Sequence, residues 1–116
     1  MTIENTRDVI KAFESTLARW EREWPKQRGA FRSLSGAVQS PGALDTKTKE
    51  LCAIATAVTA GCRWCIAAHV RNALNQGATS EEIMEAGWVA VQMGGGPSLA
   101  HLLMVQKALD DLAPEK

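Results

Sequence analysis

The chain has no tyrosine, only two phenylalanines and no excess of either charge: 13 Lys and Arg balance 13 Asp and Glu over 116 residues. Without a basic surplus, no long-range field draws it to nucleic acid or to an anionic membrane. Its four tryptophans have no interleaved basic patch on which bases would stack. A neutral surface offers little self-repulsion and leaves room for self-association. No run of ~18 apolar residues is present to span a bilayer, and the start, MTIENTRDVIKAFES, alternates charges where a signal peptide needs an apolar stretch. The expectation is a cytoplasmic protein with neither a membrane nor a nucleic-acid partner. Cysteine is scarce and odd in number (Cys52, Cys62 and Cys65). The cytosol keeps thiols reduced, so these residues are expected to be packed core, metal ligands or transient redox groups rather than a disulfide framework.

Alternating strand patterns, internal repeats and low-complexity tracts are also missing, and every strong periodicity is helical. Ile10, Phe13, Leu17, Trp20 and Trp24 form the stripe of a first amphipathic helix, with Glu4/Arg7, Asp8/Lys11 and Arg19/Glu23 at ion-pair spacing on its solvated side. Pro25 ends or kinks it. Phe31, Leu34 and Val38 mark a second helix, broken by SPG at 40–42. Asp45 is the expected N-cap of a third, which carries Leu51, Ile54, Ala55 and Val58 up to Gly61. A fourth covers about 62–76 and stops at Gly77. Thr79 and Glu82 stand in capping-box spacing at the start of a fifth. GGGP at 94–97 interrupts, and Pro97 suits the first turn of a last helix ending near Leu112. The fold class is therefore all-α, about six helices in one domain over 1–116. Alanine supplies much of the apolar content, and small side chains bury little area each, which favours a homo-oligomer that completes its core with neighbouring subunits.

Chemistry concentrates in GCRWCIAAHV at 61–70. On a helix Cys62, Cys65 and His69 share one face. Cysteine in such a run behaves as a small hydrophobe, and Ile66, Val70 and Ala73 mark that side as largely buried, so packing alone is one reading. A redox dithiol is another: Cys62 is expected in the first turn, where unpaired N–H groups favour a thiolate, Arg63 adds a cation, and His69 lies one turn from Cys65 to take its proton. When one sulfur is oxidised, the other is near enough to displace the product. If Gly61 is a hairpin turn, Glu50 lies about 11 residues before it and His69 about 8 after. At ~1.5 Å per residue the two differ by less than a turn in height. Glu50 also lies about 40° round the helix from Ile54, beside the core stripe, at about 100° per residue. A carboxylate there would orient the imidazole; a solvated side chain beside Lys47 and Lys49 is the equal alternative. A third arrangement is a Cys₃His zinc site from Cys52, Cys62, Cys65 and His69.

The segments ELCAIATAVTAGCRWCIAAHV and GATSEEIMEAGWVAVQMGGGP resemble the alkylhydroperoxidase D-like branch of the carboxymuconolactone decarboxylase family. Its pattern is a glutamate, a C-x-x-C twelve residues on, and a histidine four after the second cysteine; Glu50, Cys62, Cys65 and His69 fill it. The resemblance covers about 41–112, with 1–40 as an N-terminal helical extension. It implies a helical subunit assembled as trimers or hexamers, with peroxidase or protein-disulfide reductase activity and no cofactor. In that scheme His69 activates Cys65, Cys62 is its disulfide partner and Glu50 ends the proton relay, whereas the helix dipole favours Cys62 as the thiolate, so the sequence leaves open which sulfur attacks first. The substrate is a peroxide or a disulfide, and a thiol protein or small thiol is the reductant. One departure stands out: the best-known members place a second histidine just before the second cysteine, where this chain has Trp64, expected to screen the sulfurs or to wall their pocket. The family's decarboxylases lack the C-x-x-C, so decarboxylation is not expected. The competing class is a non-enzymatic helical oligomer with structural or zinc-bound cysteines. Cys52 alone reads as a packed core residue, His101 as a core or interface histidine, and Trp88, Met93 and Met104 as core or subunit contact. The 94–96 glycines read as a turn needing positive φ rather than as a phosphate cradle.

Overall fold

The computed structural model describes residues 3–114, so the two residues at each end of the expected 1–116 domain lie outside the described part. Six helices follow one another: α1 (Thr6–Glu23), α2 (Pro25–Gln39), α3 (Thr46–Ala60), α4 (Arg63–Asn75), α5 (Ser80–Gly94) and α6 (Gly96–Leu112). Local chemistry explains their ends. Asn5 Oδ1 accepts from Arg7 N, Asp45 from Thr48 N, and Thr79 and Glu82 close the expected capping box. Pro25 begins α2, and Pro97 sits in the first turn of α6. Gly95, with φ 71°, makes the α5–α6 turn that the glycine run predicts.

Helices α3 to α6 pack on one another around Ile54, Val58, Ile66, Val70, Ile83 and Val105, all essentially inaccessible to solvent. At ~25 cal/mol per Å² of apolar area, burying each side chain of this size favours folding by about 1.5–3 kcal/mol. These six residues make that part of the chain the most tightly packed. Helix α1 docks on α4 and α6 through Val9, Ile10 and the partly buried Trp64. Its first backbone N–H, on Thr6, donates to Asp111 Oδ2 at 2.7 Å, which ties the N-terminal helix to the last one.

The α1–α2 hairpin departs from expectation. Phe31, Leu34 and Val38 do form a stripe, but it faces solvent at 61%, 59% and 55% exposure, and α2 contains no buried residue. Trp20 and Trp24 are exposed as well. The reason is geometric: α2 reaches α1 and the start of α3, and the compact α3–α6 unit leaves no chain to lie over its other side. Of the expected helical ion pairs Arg19–Glu23 forms, but Glu4 precedes α1 and pairs with Arg63 at 3.2 Å rather than with Arg7. Trp88 and Met93 are exposed, not core; Met104 is partly buried against the core.

Candidate active site

The site is built on the turn between α3 and α4. Gly61 adopts φ 72°, a left-handed conformation that only glycine takes without strain. Its N–H donates to the Ala57 and Val58 carbonyls, and the Cys62 N–H donates to Ala57 O at 3.2 Å. The chain thus reverses within two residues. His101, from α6, packs under this turn: its ring lies directly against Gly61, and its Nδ1 donates to Val58 O at 2.7 Å.

Helix α4 starts one residue later than expected. Cys62 is its N-cap instead of part of its first turn, and Cys62 Sγ accepts from the Cys65 N–H at 3.2 Å. This sulfur takes the place usually filled by a serine or aspartate oxygen and faces the positive end of the helix. The two cysteines are joined as a disulfide, with 5.3 Å between their Cα atoms. Ile66, Val70 and Ala73 are buried on the adjoining face and hold α4 in the core, while both cysteines stay partly accessible.

One turn beyond Cys65, His69 Nδ1 lies 2.6 Å from Glu50 Oε2. Glu50 is 5% exposed, which displaces the solvated-carboxylate reading. The neighbouring lysines are engaged elsewhere. Lys47 Nζ pairs with Glu82 at 2.9 Å, and Lys49 Nζ donates to the carbonyls of Val38 and Ser40 at 2.8 and 2.5 Å. Donation from the Thr79 N–H and then from Lys47 holds the Glu82 carboxyl below the usual range, and Glu82 in turn raises Lys47. The second oxygen of Glu50 accepts from Gln39 Nε2 at 2.9 Å. A carboxylate can only accept, so His69 Nδ1 carries the hydrogen of that contact, and in the neutral imidazole the free lone pair is then on Nε2. The arrangement can accept one proton at Nε2 and balance it with a buried anion.

Cys62, Cys65 and His69 border a cleft of about 620 Å³, whose other walls include Val38, Leu44 and Ala57. Cys52 also lines it and is an exposed free thiol, not the core residue expected. Trp64 departs from expectation too. Neighbouring residues on a helix point about 100° apart, so Trp64 turns away from the sulfurs toward α1. It stacks on Phe13 with ring centroids 6.5 Å apart, and the Arg63 guanidinium lies 4.5 Å from its ring centroid. Among the described residues no three His, Cys, Asp or Glu side chains converge to hold a metal ion. The zinc arrangement of Cys52, Cys62, Cys65 and His69 therefore has no geometric support.

The model of the Carboxymuconolactone decarboxylase family matches residues 25–108. The chain belongs to that family. Among curated proteins it is 47% identical over 83 residues to uncharacterized protein 4 in the cox locus of Paracoccus denitrificans, covering 72% of this chain and 75% of that one. A carboxymuconolactone decarboxylase family protein from Legionella pneumophila, solved in its apo form, superposes with a TM-score of 0.91 at 38% identity, covering 94% of this chain and 97% of its own. A family protein from Thermotoga maritima, described as a candidate for involvement in the antioxidative response, gives a TM-score of 0.80 at 31% identity, covering 90% and 89%. The family match starts at the first residue of α2 and so takes in the helix that supplies Gln39. Sequence reasoning on this family member did not pick out Gln39 or the cleft position of Cys52. Gln39 sits in no motif, but a helical wheel places Cys52 about 160° from Ile54, on the side opposite the core.

Proposed function

We propose that this carboxymuconolactone decarboxylase family member is a thiol oxidoreductase that reduces a peroxide or a disulfide by cycling Cys62 and Cys65 between dithiol and disulfide. The observation that carries this reading is the buried Glu50 bonded to His69 on the face that presents the cysteine pair. His69 Nε2 takes the Cys65 proton. With a peroxide, the Cys65 thiolate forms an S–O bond to the terminal oxygen, the O–O bond breaks, and the departing alkoxide collects the proton from His69. Cys62 then attacks the sulfenic sulfur, a disulfide forms, and water leaves. The oxidant gains two electrons and the dithiol loses them. With a disulfide substrate the first step is thiol exchange, and the same intramolecular closure follows. A thiol protein or a small thiol resets the pair. Cys62 is the better leaving group in that step, because the α4 N-terminus stabilises its thiolate.

The working compartment in this reading is the cytoplasm, where such reductants are present; no described helix is long and apolar enough to cross a membrane. The working form is a homo-oligomer, a trimer or hexamer, in which neighbours cover the exposed stripe of α2 and the Trp88 side of α5.

The test is a thiol map. Pre-reduced protein is given one equivalent of peroxide, free thiols are alkylated, and peptides are assigned by mass spectrometry. Joint loss of Cys62 and Cys65 as an internal disulfide, with Cys52 still alkylated, is the expected result. Cys65→Ser should abolish consumption of the oxidant and leave the helical spectrum unchanged. If both thiols stay alkylatable after peroxide and after a disulfide oxidant, the proposal fails.

A further inference from the structure

Glu50 is a buried carboxylate with two oxygens and two donors, one on each: His69 on Oε2 and Gln39 on Oε1. A carboxylate held at one oxygen swings about its last torsion, whereas one held at both has a fixed plane. The amide that supplies the second hold comes from α2, the helix with no buried residue. Gln39 is itself firmly placed. Its carbonyl accepts from Thr46 Oγ1 at 2.9 Å, and the carbonyls on either side of it, of Val38 and Ser40, both accept from Lys49 Nζ. Three polar ties thus converge on the last turn of α2, and the side chain they fix is the one that reaches Glu50.

We infer that Gln39 is a positioning residue of the relay: by fixing the Glu50 carboxylate it selects the His69 tautomer whose bare Nε2 serves Cys65. This inference rests on the proposed role of His69 as the base. The reasoning is chemical. A neutral imidazole carries its hydrogen on either nitrogen, and only a well-aimed acceptor at Nδ1 keeps it there. When Oε2 swings out of line, the Nε2–H form gains population, and in that form His69 donates where the reaction needs it to accept. Gln39 acts through Glu50 and touches neither sulfur in this scheme.

The test uses full-length protein labelled with ¹⁵N. Long-range proton–nitrogen spectra, recorded above the pH range where imidazole charges, report which ring nitrogen carries the hydrogen. The only other histidine, His101, is assigned with its own variant. Wild-type His69 should be a single Nδ1–H species. Gln39→Met, similar in size but without a donor, should give a mixture with the Nε2–H form and slow peroxide oxidation of Cys65 about tenfold, the lower end of the range for losing such a supporting hydrogen bond. In a Glu50→Gln background the same substitution should have no further effect on the rate, because the group through which it acts is gone. Gln39→Leu also lacks a donor, adds no charge beside Glu50, and decides the question should Gln39→Met fold poorly. An unchanged His69 spectrum in the donorless variants, or an undiminished rate loss in the Glu50→Gln background, overturns the inference. A wild-type protein that keeps the Nδ1–H tautomer yet does not oxidise its thiols would instead refute the proposed function, so the two failures are distinct.

Discussion

Gly61→Ala is the substitution with the most directly calculable cost. A Cβ built at this position lies 2.7 Å from Cε1 and 2.9 Å from Nε2 of His101, well inside the ~3.5–4.0 Å of a relaxed carbon contact. The backbone also holds φ at 72°, where an alanine loses roughly 1–2 kcal/mol. To relieve the clash the imidazole must retreat by about 1 Å. That breaks its 2.7 Å bond to Val58 O, a further ~1 kcal/mol. The smaller entropy of an unfolded alanine returns about 0.4–1 kcal/mol. With some overpacking the net loss comes to about 2–4 kcal/mol. At an unfolding entropy of ~2.1 cal/mol/K per residue, that lowers Tm by roughly 8–16 °C. Thermal unfolding followed by circular dichroism is the assay, on the oxidised protein so that the disulfide is the same in both. His101→Ala made in the Gly61→Ala background should recover the steric part and leave the backbone strain, so the two changes should couple by ~1–2 kcal/mol. A Gly61→Ala protein that melts within two or so degrees of wild type, or zero coupling to His101, would refute this account of the turn. The same variant should also form the Cys62–Cys65 disulfide more slowly, since the turn sets the Cys62 cap.

Trp64→Ala should cost about 2–4 kcal/mol by undocking α1 and yet leave pairing of Cys62 with Cys65 intact; loss of pairing with an unchanged melt would mean that Trp64 serves the sulfurs after all. Burial raises the Asp111 carboxyl, but donation from Thr6 and Lys107 outweighs it and holds the group below the usual range. Its contribution is therefore complete above the unfolded carboxylate pKa of about 3.9 and is lost as pH falls through the lower folded value. Asp111→Asn should show its full, pH-independent deficit above about pH 4, and that deficit should shrink as pH falls further, so that the acid limb is flatter than in wild type, read from denaturant midpoints at several pH values. Leu34→Asp should lower the sedimenting mass if neighbours cover the α2 stripe; an unchanged mass would place the oligomer contact elsewhere.

Helix ends were legible because capping is local chemistry. Pro25, Asp45, Gly61, Thr79 with Glu82, and Pro97 each act within a few residues, and each sits at the boundary that its chemistry suggests. The Glu50–His69 contact was half legible. One tight turn fixes the heights of two antiparallel helices, which makes the pairing a matter of counting, but the burial that decides between a relay and a solvated carboxylate depends on α2. The fate of the Phe31, Leu34 and Val38 stripe was not legible. Periodicity says that one side of a helix is apolar; it does not say whether the same chain supplies the cover. Trp64 was misjudged from its sequence adjacency to Cys65, when its position on the helix already aimed it at α1.

These differences divide the molecule along the site. The cysteines and His69 ride on α4, whose adjoining face is locked by Ile66, Val70 and Ala73, and Glu50 rides on α3 beside Ile54. Their relative positions are therefore fixed with the stability of the whole core. The opposite wall, from Val38 to Leu44, is held by hydrogen bonds from Lys49, Thr46 and Gln39, and none of its side chains is buried. Opening such a wall breaks few apolar contacts, and its cost lies in the hydrogen bonds that tie it, the one from Gln39 to Glu50 among them. In the proposed cycle a reductant brings a sulfur in line with the half-buried disulfide, and a wall that opens to admit it also lifts the Gln39 amide from Glu50 until it closes again. In that reading the reacting groups ride on the tightly packed helices, while access to them and the Gln39 hold on Glu50 share the lightly packed side, so that admitting a partner and setting the relay are coupled.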